Sequence, residues 1–258
     1  MTLIDTHCHL DVAEFAADRD AVAQRARAAG VTDLVVPAIE AAGWPGLLSL
    51  CAAPRPDGPM LHPALGLHPV YLDRHRPADL AALERLIADR PPLAIGEIGL
   101  DYHLAELDPA GQQTLFESQL AIARQADLPV LLHVRKAHEQ VLATLARLRV
   151  RGGIAHAFNG SLQQAQRYLD LGFRLGFGGM LTFTRSTRLR RLAAELPLDA
   201  IVLETDAPDL TVAAHQGERN SPEYLPDVLA ALAQIRDAEP DAVASATTAN
   251  ARAALRLA

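Results

Sequence analysis

Eight apolar segments suited to β-strands alternate with helical patterns along this chain, and this alternation limits the possible folds more than any other feature. The predicted strands are Leu3–His7, Leu34–Pro37, Leu61–Leu67, Leu93–Ile98, Pro129–Val134, Gly153–Phe158, Phe173–Phe177 and Ala200–Leu203. Helical patterns follow near Phe15–Ala29, Trp44–Ala52, Ala78–Asp89, Ala110–Ala126, Ala137–Leu148, Leu162–Leu171, Ser186–Leu196, Pro222–Arg236 and Asp241–Leu255. Eight strand–helix units in 258 residues predict a single-domain (β/α)8 TIM barrel.

The competing α/β fold is an open doubly wound sheet. It is disfavoured because no Gly-x-Gly-x-x-Gly fingerprint follows the first strand. No linker or internal repeat divides the chain, so one domain is expected over residues 1–258. No apolar run approaches the roughly 20 residues that cross a bilayer, and the N-terminus lacks the pattern of a secretory signal. Two cysteines, Cys8 and Cys51, are too few for a disulfide framework, so a cytoplasmic location is expected.

The net charge of −7 argues against a protein that coats long stretches of nucleic acid. It is compatible with an enzyme that holds a few phosphates through metals and local arginines. Aromatic residues make up only 4% of the chain, which argues against an extended base-stacking surface. Four aromatic residues near strand ends remain candidates for stacking a terminal base: Tyr71, Tyr102, Phe158 and Phe183.

Histidines and carboxylates stand where several predicted strands end. The active sites of such barrels lie at the C-terminal ends of the strands, and histidine and acidic residues are poor choices for apolar strands unless something pairs with them. His7 and His9 lie two apart, so an extended segment would point both imidazoles to one side. The candidate metal ligands at these strand ends are four histidines, with two or three carboxylates from the ends of the fourth strand (Gly96–Asp101) and the eighth strand (Glu204–Asp206). The histidines are His7, His9, His133 and His156. These nitrogen and oxygen donors suit Zn²⁺, Mg²⁺, Mn²⁺ or Co²⁺, and the sequence does not select one.

Glu97 is the candidate for a bridge between two cations because its two oxygens can serve one each. Related two-metal barrels often use a carboxylated lysine for this purpose. The only lysine of this chain is Lys136, just beyond the fifth strand, so none is available on the fourth. If two metals are present, Glu97 is therefore the bridge.

Five motifs resemble the TatD family of metal-dependent hydrolases, and the YjjV-like branch most closely. They are Asp5-Thr6-His7-Cys8-His9-Leu10, Gly66-Leu67-His68-Pro69, Gly96-Glu97-Ile98-Gly99-Leu100-Asp101, Leu132-His133-Val134-Arg135 and Leu203-Glu204-Thr205-Asp206-Ala207-Pro208. The resemblance implies two divalent cations, one held by His7, His9, Glu97 and Asp206 and the other by Glu97, His133 and His156. It also implies phosphodiester hydrolysis, often by a deoxyribonuclease that trims DNA ends.

One departure from the family concerns the residues that follow the sixth strand. Members often carry His-Cys-Phe-Ser-Gly there, whereas this chain reads His156-Ala157-Phe158-Asn159-Gly160. The expected ligand His156 and the glycine Gly160 are both present, so the metal site is expected to be intact. The departure concerns the substrate contact near Asn159, which the sequence does not define.

Several residues have expected roles around the metals. Two cations can lower the pKa of a water held between them, and Asp206 is the expected base that takes its proton. His68 is expected to bind a phosphate, to donate to the leaving oxygen, or to be only a hydrogen-bonded turn histidine. Arg135 is expected to clamp a phosphate. Thr184–Arg191 carries four arginines that form either a phosphate track or a solvated helix face. Glu204 is expected to orient a ligand.

Three functions remain in competition. A deoxyribonuclease acting near strand ends comes first, so the expected partners are DNA ends or a small phosphodiester. The alternative is hydrolysis of an amide, a lactone or an aminoacyl ester, as by a D-aminoacyl-tRNA deacylase, since the same metals serve either chemistry. A binding protein with a decayed site is disfavoured by the complete ligand set. We expect a monomer that binds no membrane.

Overall fold

The computed structural model describes residues 1–257, in which eight strands form one parallel sheet in sequence order. The strands are β1 (Leu3–Asp5), β2 (Val31–Pro37), β3 (Met60–Leu65), β4 (Ala94–Asp101), β5 (Val130–Arg135), β6 (Gly153–Ala155), β7 (Phe173–Phe177) and β8 (Ile201–Leu203). Nine helices complete the fold: α1 (Arg19–Ala28), α2 (Trp44–Ala52), α3 (Pro77–Asp89), α4 (Pro109–Ala126), α5 (His138–Leu148), α6 (Leu162–Asp170), α7 (Thr187–Glu195), α8 (Leu225–Arg236) and α9 (Pro240–Leu255).

Backbone and side-chain hydrogen bonds join the ends of β1 and β8 and bring the sheet close to a full ring. Thr6 N donates to Leu203 O at 3.1 Å, and Asp206 N donates to His7 O at 2.8 Å. The buried carboxylate of Asp5 accepts from Thr205 N at 3.0 Å and from Thr205 Oγ1 at 2.6 Å. The predicted (β/α)8 barrel is therefore confirmed.

The barrel interior is apolar and is covered at one end by the last helix. Buried side chains from seven strands pack together with Ala251 and Leu255 of α9: Ile4, Val35, Ala64, Ala94, Leu131, Ile154 and Val202. A larger apolar cluster lies between the sheet and the surrounding helices and includes Cys8, as expected for a small core residue. The barrel therefore opens for chemistry at the C-terminal ends of its strands.

The first strand, which precedes His7 and His9, is shorter than predicted. β1 ends at Asp5, because beyond it the backbone alternates between neighbours: Cys8 N donates to Val35 O and His9 N donates to Ala207 O. β6 likewise ends at Ala155 instead of Phe158, whereas β4 runs on to Asp101. His7, His9 and His156 therefore lie on the segments just after their strands. None of the helices in residues 1–257 combines the length and apolar character needed to cross a membrane.

Candidate metal centre

Glu97 lies at the centre of the barrel mouth, and its two carboxylate oxygens face different imidazoles. Oε2 lies 3.1 Å from His7 Nε2 and 3.6 Å from His9 Nε2. Oε1 lies 2.9 Å from His133 Nδ1 and 3.9 Å from His156 Nε2. The residue is only 1% exposed. One buried carboxylate thus separates two pairs of nitrogen donors, which is the arrangement that a bridging ligand requires.

His7 and His9 converge as the sequence predicted, although from a loop and not from a strand. Their Nε2 atoms lie 3.3 Å apart. His9 Nδ1 lies 3.2 Å from the carbonyl oxygen of Pro37, so Nδ1 is the nitrogen that donates and Nε2 keeps its lone pair. Two imidazole nitrogens and a carboxylate oxygen thus point to one place. This arrangement suits a bound cation better than it suits hydrogen bonds among the three side chains.

Asp206 completes the centre from the segment after β8. Its Oδ1 lies 3.8 Å from His7 Nε2 and 3.7 Å from His9 Nε2, and its Oδ2 lies 3.7 Å from His156 Nε2. The backbone of Asp206 has the left-handed φ of +58°, and the bond from its N–H to His7 O holds it there. Burial raises the pKa of the Asp206 carboxyl to about 6.

Two further carboxylates lie beside the imidazoles of His133 and His156, the first as a hydrogen bond and the second as an ion-pair contact. Asp101 Oδ2 lies 3.0 Å from His133 Nε2, and Glu204 Oε1 lies 3.1 Å from His156 Nδ1. Burial opposes the charged form of both rings, but the nearby carboxylates outweigh it and raise the pKa of His133 to about 9 and of His156 to about 10. The distance from Glu204 to His156 fits the expected orienting role.

Sequence reasoning gave Asp101 no role. The residue was visible as the last member of the Gly96–Asp101 motif, but its partner depends on β4 continuing beside β5. Gln112 of α4 binds the Asp101 backbone at both ends, donating to its carbonyl at 2.9 Å and accepting from its N–H at 2.8 Å. His103 N donates to Asp101 Oδ1 at 2.9 Å, so the carboxylate that faces His133 is fixed.

The chemistry of this donor set fits divalent cations. Three groups of side chains offer ligand atoms within 4.8 Å of one another: His7, His9 and Glu97; His68, Glu97 and His133; and His7, His156 and Asp206. Among the described residues, Nδ1 of His7, Nδ1 of His156 and Oε2 of Glu204 are buried without a hydrogen-bond partner. The raised pKa values of His133 and His156 reflect the same concentrated negative charge that would attract metal ions.

His68 faces the centre in a tautomer suited to donating. Its Nδ1 accepts from Val70 N at 3.2 Å, which leaves the proton on Nε2. That Nε2 lies 3.4 Å from Glu97 Oε1. Burial lowers the pKa of His68 to about 4, so the ring is neutral at pH 7. The residue therefore caps a turn and also presents an N–H to the cavity, which combines the two expected readings.

The four arginines of Thr184–Arg191 do not form one continuous track. Arg190 donates to Leu181 O at 2.9 Å, and Arg191 pairs with Glu195 at 2.6 Å. Arg188 donates to Asn159 O and Gly160 O. Arg185 keeps an exposed guanidinium in the cavity, as does Arg135 at the end of β5. Among residues 1–257 neither of these two is hydrogen-bonded or ion-paired through its side chain.

Replacing Gly176 by alanine should displace Glu204, the carboxylate beside His156, and so disturb the metal centre. A Cβ at this position of β7 would lie 2.1 Å from Glu204 Oε2, so the buried carboxylate beside His156 would have to move. We expect Gly176→Ala to lower the free energy of unfolding by about 1–3 kcal/mol and to weaken metal binding, as measured by thermal melting and metal titration. Gly46→Ala, with no atom within 4 Å, should leave metal binding unchanged. Equal metal affinity in both variants would contradict the role of Glu204.

A (β/α)8 barrel with a histidine and carboxylate centre at its mouth defines the class of metal-dependent hydrolases. Residues 4–256 match the family described as TatD related DNase, and the chain belongs to this family. The resemblance that the motifs indicated is therefore confirmed.

Individual relatives agree with this assignment. The chain is 41% identical over 250 residues to the uncharacterized metal-dependent hydrolase YjjV of Escherichia coli K12, covering 96% of this chain and 95% of the relative. It is 34% identical over 262 residues to a protein of Erwinia billingiae named 3′-5′ ssDNA/RNA exonuclease TatD, covering 99% of both. The crystal structure of Escherichia coli YjjV matches with a TM-score of 0.94 at 39% identity, covering 99% of this chain and 98% of that one.

Proposed function

We propose that this protein is a deoxyribonuclease that trims DNA ends by hydrolysing phosphodiester bonds. The observation that carries the proposal is the position of Glu97 between two sets of imidazoles, with uncommitted guanidiniums at the rim of the same cavity. The name of the Erwinia billingiae relative, an exonuclease of single-stranded DNA and RNA, supports the same substrate class.

Two divalent cations would be held by residues on either side of Glu97. His7, His9, Glu97 and Asp206 would bind one, and Glu97, His133 and His156 would bind the other. Zn²⁺, Mg²⁺ and Mn²⁺ all suit this set of donors. When bound, such a pair supplies Lewis acidity that lowers the pKa of water and neutralises charge on a phosphate.

The side chains of the chain itself orient the reactants and move the proton. Asp206 accepts the proton of the attacking water from its position beside His7, His9 and His156. The neutral Nε2–H of His68 donates to a phosphate oxygen or to the leaving oxygen. Arg135 binds the phosphate at the rim, because its planar guanidinium matches two phosphate oxygens at once. Asp101 and Glu204 keep the rings of His133 and His156 in orientation.

The exposed guanidiniums favour a substrate that carries phosphate over an amide or a lactone. An aminoacyl-tRNA also carries phosphates, so the experiment below separates it from DNA. Arg135 and Arg185 both line the cavity that contains the centre, which has a volume of about 920 Å³. An amide or a lactone offers no charge for them to bind, whereas a DNA end carries a phosphate beyond the one that is cleaved. We keep the cytoplasmic location and the monomeric state as predictions of the same proposal.

A single preparation tests the proposal against its alternative. The protein is stripped with a chelator, reloaded with Mg²⁺, Mn²⁺ or Zn²⁺, and offered end-labelled single-stranded DNA, a generic phosphodiester and an aminoacyl-tRNA. We expect shortening of the DNA from one end only after reloading. Rapid ester cleavage combined with no phosphodiester cleavage would overturn the proposal in favour of a deacylase.

A further inference from the structure

Two exposed apolar side chains lie on the wall of the cavity that holds the metal centre. Within residues 1–257, four large hydrophobic side chains are exposed: Met1, Met60, Met180 and Leu210. Met180 and Leu210, which are 37% and 41% exposed, both line this cavity. Scattered exposed hydrophobic residues are ordinary, but two that line the cavity of a reactive centre indicate a binding surface.

The loops that carry these side chains are packed together. Met180 lies in the short turn Gly179–Thr182 after β7, and Leu210 lies in the segment after β8. A Cβ on Gly179 would lie 2.1 Å from the carbonyl oxygen of Leu210, so the glycine is what allows this close approach. Leu210 has a left-handed φ of +49°, a conformation that is unfavourable for leucine and is found where a structure holds a residue in a required position.

The positively charged side chain of Arg185 lies on the same side of the cavity. Arg185 follows Met180 in the loop between β7 and α7 and also lines the cavity. Its guanidinium lies over the ring of Phe183, 4.9 Å from the centroid, and makes no ion pair among the described residues. Met180, Leu210 and Arg185 together form what we call the β7–β8 wall, which offers an apolar face and a free positive charge.

Of the four aromatic residues that the sequence offered for base stacking, Tyr102 does not line the cavity. The other three have rings that are wholly or partly covered. Phe158 is 1% exposed and Phe183 is 8% exposed, so their faces are covered by protein. Tyr71 lines the cavity, but Arg74 lies over its ring at 4.7 Å. Methionine packs well against flat rings because its thioether is flexible and polarizable. The β7–β8 wall therefore offers an apolar surface on which a ring can lie.

We propose that the β7–β8 wall is a nucleotide subsite, in which an unpaired base lies on Met180 and Leu210 and a phosphate pairs with Arg185. The inference rests on the proposed function and deepens it. A charged wall alone would bind any phosphate, and an apolar wall alone would bind any ring, whereas their combination selects a nucleotide. A base can present its face only when it is unstacked, so the subsite selects single-stranded ends.

The test compares two short DNA strands that differ only in whether the terminal nucleotide carries a base or is abasic. We expect the metal-loaded enzyme to bind the intact end about tenfold more tightly than the abasic end, the effect of burying one apolar contact of this size. Met180→Ala should abolish this preference through KM with little change in kcat. Arg185→Ala should weaken both strands alike and reduce the dependence of binding on salt.

A matched control and a second variant keep the test decisive. Met60→Ala removes a methionine that is 65% exposed at the start of β3, outside the cavity, and should leave the preference intact. Leu210→Asn should abolish the preference without loss of thermal stability, since asparagine tolerates a left-handed backbone better than leucine. Equal binding of intact and abasic ends by the unaltered protein would overturn the inference.

A measurement of DNA binding without cleavage distinguishes failure of this inference from failure of the proposed function. Fluorescence anisotropy of the labelled strands, measured with the metal-loaded Asp206→Asn variant, reports occupancy of the wall without turnover. If the unaltered enzyme cleaves no phosphodiester yet the base preference is present and depends on Met180, the proposed function fails and the subsite stands. If cleavage occurs and no base preference is found, the subsite fails and the proposed function stands.

Discussion

Asp206→Asn should reduce phosphodiester turnover by about 10²–10⁴-fold, the range that a positioned general base contributes. The substitution keeps the size of the side chain but removes the carboxylate that takes the proton. Asparagine also adopts the left-handed backbone found at this position, with its φ of +58°, so the variant should fold. Steady-state kinetics on single-stranded DNA, with bound metal quantified by elemental analysis, checks the result.

Asp209→Asn is the control for this experiment. Asp209 is exposed, lines the same cavity and lies in the same segment as Asp206. It makes no side-chain contact with the five imidazoles of the centre, so its loss should leave kcat nearly unchanged. A folded, metal-loaded Asp206→Asn enzyme with near-normal hydrolysis would remove Asp206 from the mechanism.

Glu97→Gln should abolish binding of the second cation and lower turnover by more than the 10²–10³-fold that removal of one transition-state donor costs. The two oxygens of Glu97 face separate pairs of imidazoles, with Oε2 3.1 Å from His7 Nε2 and Oε1 2.9 Å from His133 Nδ1. Glutamine has one oxygen and one NH₂ group, and the NH₂ group repels a cation. Metal content per chain should therefore fall from two to one or fewer.

Glu14→Gln provides the comparison for that variant. Glu14 lines the cavity, but its side chain is exposed and makes no hydrogen bond or ion pair with the histidines. Isothermal titration with Mn²⁺ should give two binding events for the unaltered protein and for Glu14→Gln. Two undiminished events with Glu97→Gln would show that Glu97 bridges nothing, and the proposed pair of cations would have to be abandoned.

The barrel and the types of residue at its mouth could be predicted because the fold converts chain order into position. Once eight strands alternate with helices, every strand end lies at one rim, so His133 after an apolar run could be placed without knowing its neighbours. The convergence of His7 and His9 followed from the same logic. The reason given for it was wrong in part, since β1 ends at Asp5 and the loop supplies the geometry.

Other features depend on contacts that no local pattern encodes. The bond between Asp101 and His133 requires β4 and β5 to run in register, with Asp101 beside Arg135. The tautomer of His68 is set by the N–H of Val70. The run of arginines looked uniform in the sequence. In the structure, Arg190 donates a hydrogen bond to Leu181 O, whereas the side chain of Arg185 makes no hydrogen bond or ion pair among the described residues. Such choices are made by tertiary packing and by competition among acceptors.

The bond between Asp5 and Thr205 links residues 200 positions apart along the chain. A ribosome therefore releases the second of these partners only when most of the polypeptide has been synthesised, and closing so long a loop is slow. A growing chain has His7 and His9 early but acquires Asp206 last, so premature fragments can offer only an incomplete cage. Tight metal loading is therefore expected only of chains that extend beyond Asp206 and in which the ring has closed.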